Sequence, residues 1–223
     1  MLIVLQEVLV AEDIARVRAQ LAAVRWVSGK RTAGVAARSV KHNLQADAED
    51  PRRQGLDRFL LDALRRHALF DVAARPKRIS PLLVSRYEPG MTYGAHTDDA
   101  LMGAGEHRLR TDVAFTLFLS DLDAYDGGAL IVHSAHGDQE IRLGAGDAIL
   151  YPAGSIHQVS PVTRGARLAA VGWIESHIPD ASARELLFDL SNARARLAGA
   201  GAAREDLLVL DRVASNLLRM WAR

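Results

Sequence analysis

The chain has 223 residues, enough for one good-sized domain or one domain with an appendage. Apolar residues make up 49% and charged residues 25%, the balance of a soluble globule, and a net charge of +1 gives no global field toward nucleic acid or a membrane surface. Cysteine is absent, which excludes disulfides and thiolate metal sites and leaves His and carboxylates as candidate ligands.

Residues 2–10, rich in Val, Ile and Leu, read as a buried strand. They lack a basic leader and run at once into Glu12 and Asp13, so a strand is expected rather than a signal peptide. No apolar run reaches membrane-spanning length, and the expected location is the cytoplasm. Ile14, Val17, Leu21 and Val24 recur at spacings of three and four and predict an amphipathic helix over 11–24. Ser-Gly and Gly punctuation predicts a turn or loop over 26–34. Residues 35–50 are polar. They read as a solvated loop or helix start, in preference to a recognition segment built on Lys41, His42, Asn43 and Gln45. Pro51 opens a second helix, with Leu56, Phe59, Leu60, Ala63, Leu64 and His67 on one side and its end before Arg75-Pro76. His67 is expected to pack or face solvent.

From Ile79 the pattern turns to short strands: 79–87, 92–98, 112–119, 129–134, 139–143, 148–151, 157–160 and 166–175. A loop at 99–110 is expected over the mouth of the site, and another, dense in Asp, at 121–128. About eight short strands separated by turns predict an all-β sandwich or barrel, and a double-stranded β-helix of the jelly-roll type fits that count. Past Pro179 the period is helical again. Leu186, Leu187, Leu190 and Leu197 lie before the Gly199-Ala-Gly201 break, and Leu207, Leu208, Leu210, Val213, Leu217 and Leu218 after it. The expected architecture is mainly β with flanking helices: residues 1–178 form a jelly-roll domain with its core over about 79–178, and 179–223 a C-terminal helical hairpin. The hairpin must bury its apolar stripe on the barrel or on a second subunit, which makes a homo-oligomer one expectation.

The chemistry concentrates in Tyr-Gly-Ala-His-Thr-Asp-Asp, 93–99. On an extended strand His96 and Asp98 would point to one face. That pair alone is a weak signal. It gains force from His157, which follows a Gly-rich turn sixty residues on, and from Arg167 inside an apolar run. Two His and one carboxylate leave three positions of an octahedral metal open, the arrangement that suits non-haem Fe(II). Arg167 needs an anionic partner if buried. It would be a salt bridge to an internal Asp or Glu, or the distal carboxylate of a small diacid. Arg164 reads as exposed. His42, His67, His107, His133, His136 and His177 lack comparable partners, although His133 and His136 could mimic a metal pair across a loop.

Arg86-Tyr-Glu-Pro-Gly-Met-Thr-Tyr-Gly-Ala-His-Thr-Asp98, Arg110-Thr-Asp112, Thr116-Leu-Phe-Leu-Ser-Asp121, Tyr125-Asp-Gly-Gly128, Tyr151-Pro and Thr163-Arg-Gly-Ala-Arg-Leu168 resemble the bacterial PKHD-type hydroxylases. These are Fe(II)- and 2-oxoglutarate-dependent dioxygenases of the prolyl-4-hydroxylase-like branch, and the likeness runs over nearly the whole chain. The resemblance implies His96, Asp98 and His157 as iron ligands and Arg167 as the clamp on the 5-carboxylate of 2-oxoglutarate. It also implies a co-substrate contact for Tyr87, ascorbate as the helper that keeps iron reduced, and a small-molecule or peptide substrate, with an association to iron uptake that suggests siderophore-related compounds. The implied reaction consumes oxygen and 2-oxoglutarate, releases succinate and carbon dioxide, and hydroxylates a substrate that the residues do not name. Two other readings compete: a metal-dependent isomerase or hydrolase on a β-barrel, disfavoured because no third His or second carboxylate is in place, and a sensor that binds iron or 2-oxoglutarate without turnover.

Overall fold

The computed structural model describes residues 1–34, 37–135 and 137–223. Its centre is two facing antiparallel sheets. One sets Ala148–Pro152, Val113–Phe118, Arg167–Ser176 and Leu83–Tyr87 side by side. The other sets Gln139–Ile141, Leu130–Val132, His157–Val159 and Thr92–His96 side by side. The chain crosses between the sheets at most steps, which is the jelly-roll wrapping the strand count predicts. Ile3–Leu5, Leu44–Ala46 and Trp26–Ser28 widen the first sheet, and Lys41–His42 widens the second beside Thr92–His96.

Among the described residues, five α-helices flank this core. α1 (Ala11–Ala23), α2 (Leu56–Arg66) and α3 (Ala68–Ala74) cover the outer face of the larger sheet. Val17, Leu21, Leu60, Leu64 and Phe70 meet Leu5, Phe115, Leu117 and Leu150 there. Val113–Phe118 is buried at every position because its odd residues face these helices and its even residues face the second sheet. That is why the stretch reads as a continuous apolar run rather than an alternating one. α4 (Ala181–Gly199) and α5 (Arg204–Trp221) form the hairpin. Ile178, Ala183 and Leu187 bury against Leu217, Leu218 and Trp221, and Arg75 donates to Ser191 Oγ, so the hairpin docks on its own chain.

Several local expectations are corrected. Residues 6–10 leave the first strand, with Glu7 at positive φ and its N–H donating to Asp147 Oδ1. The predicted loop at 26–34 carries the strand Trp26–Ser28 and a 3₁₀ turn. The helix expected from Pro51 is a 3₁₀ turn, Pro51–Arg53, then α2 and α3. Gly55, in the left-handed conformation, separates the first two, and His67, extended at the next junction, caps α3 by accepting from Leu69 N–H. Ser80-Pro81 splits the strand predicted over 79–87 into Pro76–Ile79 and Leu83–Tyr87. The loop at 99–110 holds a small hairpin, Leu101–Met102 against Leu109–Arg110, and Tyr125–Gly127 pairs with Val162–Gly165 inside a region read as irregular.

Gly172 sits where the first sheet meets its helical cover. A Cβ there would lie 2.6 Å from Phe115 Cζ and 3.0 Å from Leu82 Cδ2, both in fully buried side chains. Gly172→Ala is therefore expected to cost about 1–3 kcal/mol by overpacking and lower the thermal midpoint by roughly 2–10 °C. Thermal unfolding followed by circular dichroism checks this.

Candidate active site

His96 ends its strand, and His157 begins the neighbouring one directly opposite it in register. Their rings stand 4.3 Å apart between centroids. Asp98 lies beyond the strand end, so the extended-strand argument for its direction does not apply. The chain nevertheless turns its carboxylate into the same place. One ligand atom each from His96, Asp98 and His157 lies within 4.8 Å of the others, and Asp98 Oδ1 is 3.9 Å from His157 Nε2. Among the described residues this is the only such group of His and acidic side chains.

The surroundings prepare these groups for a cation. His96 Nδ1 is 2.8 Å from the Gly94 carbonyl and His157 Nδ1 is 3.0 Å from the Ser155 carbonyl. A carbonyl accepts only, so each Nδ1 carries a proton, which leaves Nε2 as the ring nitrogen able to ligate a metal. Burial, with His157 nearby, pushes the His96 imidazole down to about 4, so the ring is neutral at ordinary pH. Burial raises the Asp98 carboxyl above its usual range, with His157 and the nearby Trp173 indole opposing, and Oδ2 is buried without a hydrogen bond of normal geometry. An orphaned carboxylate oxygen beside two imidazole lone pairs fits a divalent metal of the non-haem iron type.

Arg167 is only 2% exposed, yet no Asp or Glu of the described residues pairs with it, so the internal salt bridge that the sequence left open does not form. Its Nε has no partner, and its guanidinium lies 5.4 Å from the Tyr87 ring and 5.2 Å from the Phe118 ring. Tyr87 faces it across the strand pair. Gly127 and Gly128, both at positive φ, bring the chain close past it. A Cβ on Gly128 would meet Val162 Cγ2 at 2.9 Å and Arg167 Cδ at 3.0 Å. A buried, unpaired guanidinium is costly on its own and fits a carboxylate.

His96, Asp98, His157, Tyr87 and Arg167 all line one cavity of about 530 Å³, within the range of small-molecule sites. Asp99, Leu101 and Met102 also line it, so the 99–110 segment stands at the cavity as expected. Of the remaining histidines, two have partners of their own elsewhere. His67 caps a helix, His133 pairs with surface Asp138, and His136, needed for the alternative metal pair, lies outside the described residues.

Residues 41–47 are a correction. Lys41, Asn43, Gln45 and Asp47 are buried, not solvated, and Lys41 lines the cavity. The signal was an inverted alternation: polar residues at 41, 43, 45 and 47 point inward on extended chain. Tyr93, stacked on His96 at 3.6 Å, and Tyr151, edge-on to His157 at 5.2 Å, are further members of the site not anticipated as such.

Residues 82–175 match the family model described as the 2OG-Fe(II) oxygenase superfamily. A PKHD-type hydroxylase of Maricaulis maris is 48% identical over 223 residues, covering 100% of this chain and 99% of its own length. One from Synechococcus elongatus is 43% identical over 222 residues, covering 100% of each. Among solved structures, an oxidoreductase of the 2OG-Fe(II) oxygenase family from Burkholderia pseudomallei superposes with a TM-score of 0.58 at 20% identity, covering 78% of this chain and 84% of that one. A prolyl hydroxylase from Trichoplax adhaerens, solved with a hypoxia inducible factor peptide fragment, gives 0.59 at 14% identity, covering 78% and 83%. At these identities the structural likeness bears on the jelly-roll fold.

Proposed function

Because the chain belongs to the PKHD-type hydroxylases of the 2OG-Fe(II) oxygenase superfamily, we propose that His96, Asp98 and His157 hold its ferrous ion and that Arg167 holds the far carboxylate of 2-oxoglutarate. Membership makes the protein a 2-oxoglutarate-dependent hydroxylase, an oxidoreductase of the dioxygenase type. The observation that carries the assignment is the unpaired, buried Arg167 in the same cavity as a His-Asp-His cluster with an orphaned carboxylate oxygen.

When bound, iron and 2-oxoglutarate would supply, with O2 as oxidant, an oxidative decarboxylation in which one oxygen atom ends in succinate, carbon dioxide leaves, and the other oxygen atom is inserted into a substrate C–H bond. The chain does the rest. Its two imidazoles and one carboxylate would hold the metal, a donor set that suits ferrous iron with room for a co-substrate. The planar fork of Arg167 fixes the diacid in one orientation. Tyr87, buried next to it, is proposed to contact the same diacid. Apolar walls, with Phe115, Leu130 and Val171 among them, exclude water from the reacting centre.

The finer readings share this basis. The substrate is proposed to be a small molecule or peptide, siderophore-related if the family's iron-uptake association extends to this chain, and ascorbate is the proposed reductant for the iron. Residues 1–178 are proposed as the catalytic unit and 179–223 as a buttress that could also join subunits. No described helix is long and apolar enough to cross a membrane, and the cytoplasm is the proposed location. Leu187 is fully buried at the base of the hairpin. Leu187→Ala is expected to cost about 2–5 kcal/mol of stability while leaving 2-oxoglutarate affinity unchanged, since it removes core volume far from the cavity. Chemical denaturation alongside calorimetric titration separates the two.

The test of the function is oxygen uptake and succinate release with Fe(II), 2-oxoglutarate and cell extract. Metabolites that gain one oxygen atom with the natural chain, but not with His157→Ala, are substrates. Absence of iron-dependent succinate release under every condition would instead favour a sensor.

A further inference from the structure

Among the described residues, Lys41 is the one buried cation in the cavity that the proposed reaction does not use. It is 5% exposed, on the short strand Lys41–His42 that pairs with Thr92–His96, opposite Tyr93. Its ammonium lies 4.8 Å above the Tyr93 ring, and Tyr93 stacks on His96. Its hydrogen bond is to a neutral group, Thr32 Oγ1 at 3.3 Å. No carboxylate of the described residues forms an ion pair with it. Asp98 acts on it only from a longer distance.

The charges of the loaded site sharpen the point. This step rests on the iron and 2-oxoglutarate reading above. A ferrous ion brings two positive charges and Arg167 one. Asp98 and the two carboxylates of 2-oxoglutarate supply three negative charges. That set closes on itself, and Asp98 is then committed to the metal. Lys41 is left over: Asp99 also lines the cavity but forms no ion pair with it, and a desolvated cation without a close partner is costly unless one arrives. The cavity it lines also presents the apolar Ala33, Pro81, Leu101, Met102 and Trp173, beside the neutral polar Thr32, Ser80 and Ser85.

We propose that Lys41 is a specificity-determining residue that binds a carboxylate of the primary substrate, and that the substrate is a small molecule with an apolar body and an acidic group. The cation selects the acid, and the Tyr93–His96 stack sets how near the metal that acid lies.

The test uses the full chain loaded with Mn(II) and saturating 2-oxoglutarate. The probes are three acids, phenylacetate, indole-3-acetate and hippurate, each with its primary amide. Paramagnetic relaxation of probe protons by Mn(II) reports binding near the metal. The acids are expected to bind about tenfold more tightly than their amides, the scale of one charge-assisted hydrogen bond. Lys41→Met should bring that ratio close to one, Lys41→Arg should keep it, and both should bind 2-oxoglutarate within about twofold of the natural chain. Retained 2-oxoglutarate binding also shows that the variants fold. Equal or absent binding of the acids overturns the inference, as does an acid preference that survives in Lys41→Met. Loss of 2-oxoglutarate affinity in Lys41→Met overturns it too, by assigning the lysine to the co-substrate. If the natural chain binds neither Mn(II) nor 2-oxoglutarate, the reading beneath the inference fails first.

Discussion

Asp98→Asn, His96→Ala and His157→Ala are each expected to abolish iron-dependent succinate release, with a loss well beyond about 100-fold, because even the outer hydrogen-bond partners of metal ligands contribute 10- to 100-fold. The metal-free protein should behave differently from the enzyme. Asp98 is held in a desolvated place with one oxygen unpartnered, and burial raises its carboxyl. Neutralising it relieves a cost of the empty site, so Asp98→Asn should be no less stable than the natural chain without metal. It should also lose the thermal stabilisation that Mn(II) gives the natural protein. Metal titration and thermal unfolding, run with and without Mn(II), read both effects. A variant that keeps metal-dependent stabilisation and turnover would remove Asp98 from the proposed ligand set.

Arg167→Met should show the same opposition on the co-substrate side. The guanidinium is buried against Tyr87 and Phe118 without an acid to pair with. In the ligand-free protein, Met of similar length replaces an unanswered charge with apolar volume, a change that is often neutral or stabilising. With 2-oxoglutarate present, the loss of one partner of a buried charge pair costs about 2–5 kcal/mol, or roughly 30- to several-thousand-fold in affinity. The expected result is an unchanged or raised melting temperature without ligand, and a 2-oxoglutarate requirement raised by that factor. Isothermal titration and the dependence of succinate release on 2-oxoglutarate concentration measure it. An unchanged requirement would mean that the diacid binds elsewhere.

The strands of the core were legible because their burial leaves a short-range trace. Val113–Phe118 and Arg167–Ser176 are apolar where both faces are covered, and turn residues such as Gly144 to Asp147 mark where they end. The helical hairpin was legible from its leucine spacing and the Gly199–Gly201 break. Residues 41–47 were misread because a polar stretch resembles a solvated loop. Only the fold shows that Lys41, Asn43 and Gln45 turn toward the interior. The partition of 51–74 into three helical pieces turns at Gly55 and His67, where Gln20 of α1 donates to the Arg52 and Gln54 carbonyls and His67 Nε2 meets the Gln6 carbonyl, contacts that helix period does not reveal. His96, Asp98, His157 and Arg167 stand out in the sequence by residue type and spacing. That Arg167 lacks an internal acid could be learned only from the assembled cavity.

The two walls of the cavity are built unequally. Arg167 stands on a sheet backed by α1, α2 and α3, whereas Lys41 and His96 stand on one whose outward residues, His42, Ala95 and Glu140, meet solvent. Substitutions on the thin wall disturb few neighbours and cost little folding energy. Positions there other than His96 and His157 are therefore the ones free to vary with new substrates, while the grip on the shared diacid stays braced by the thick wall.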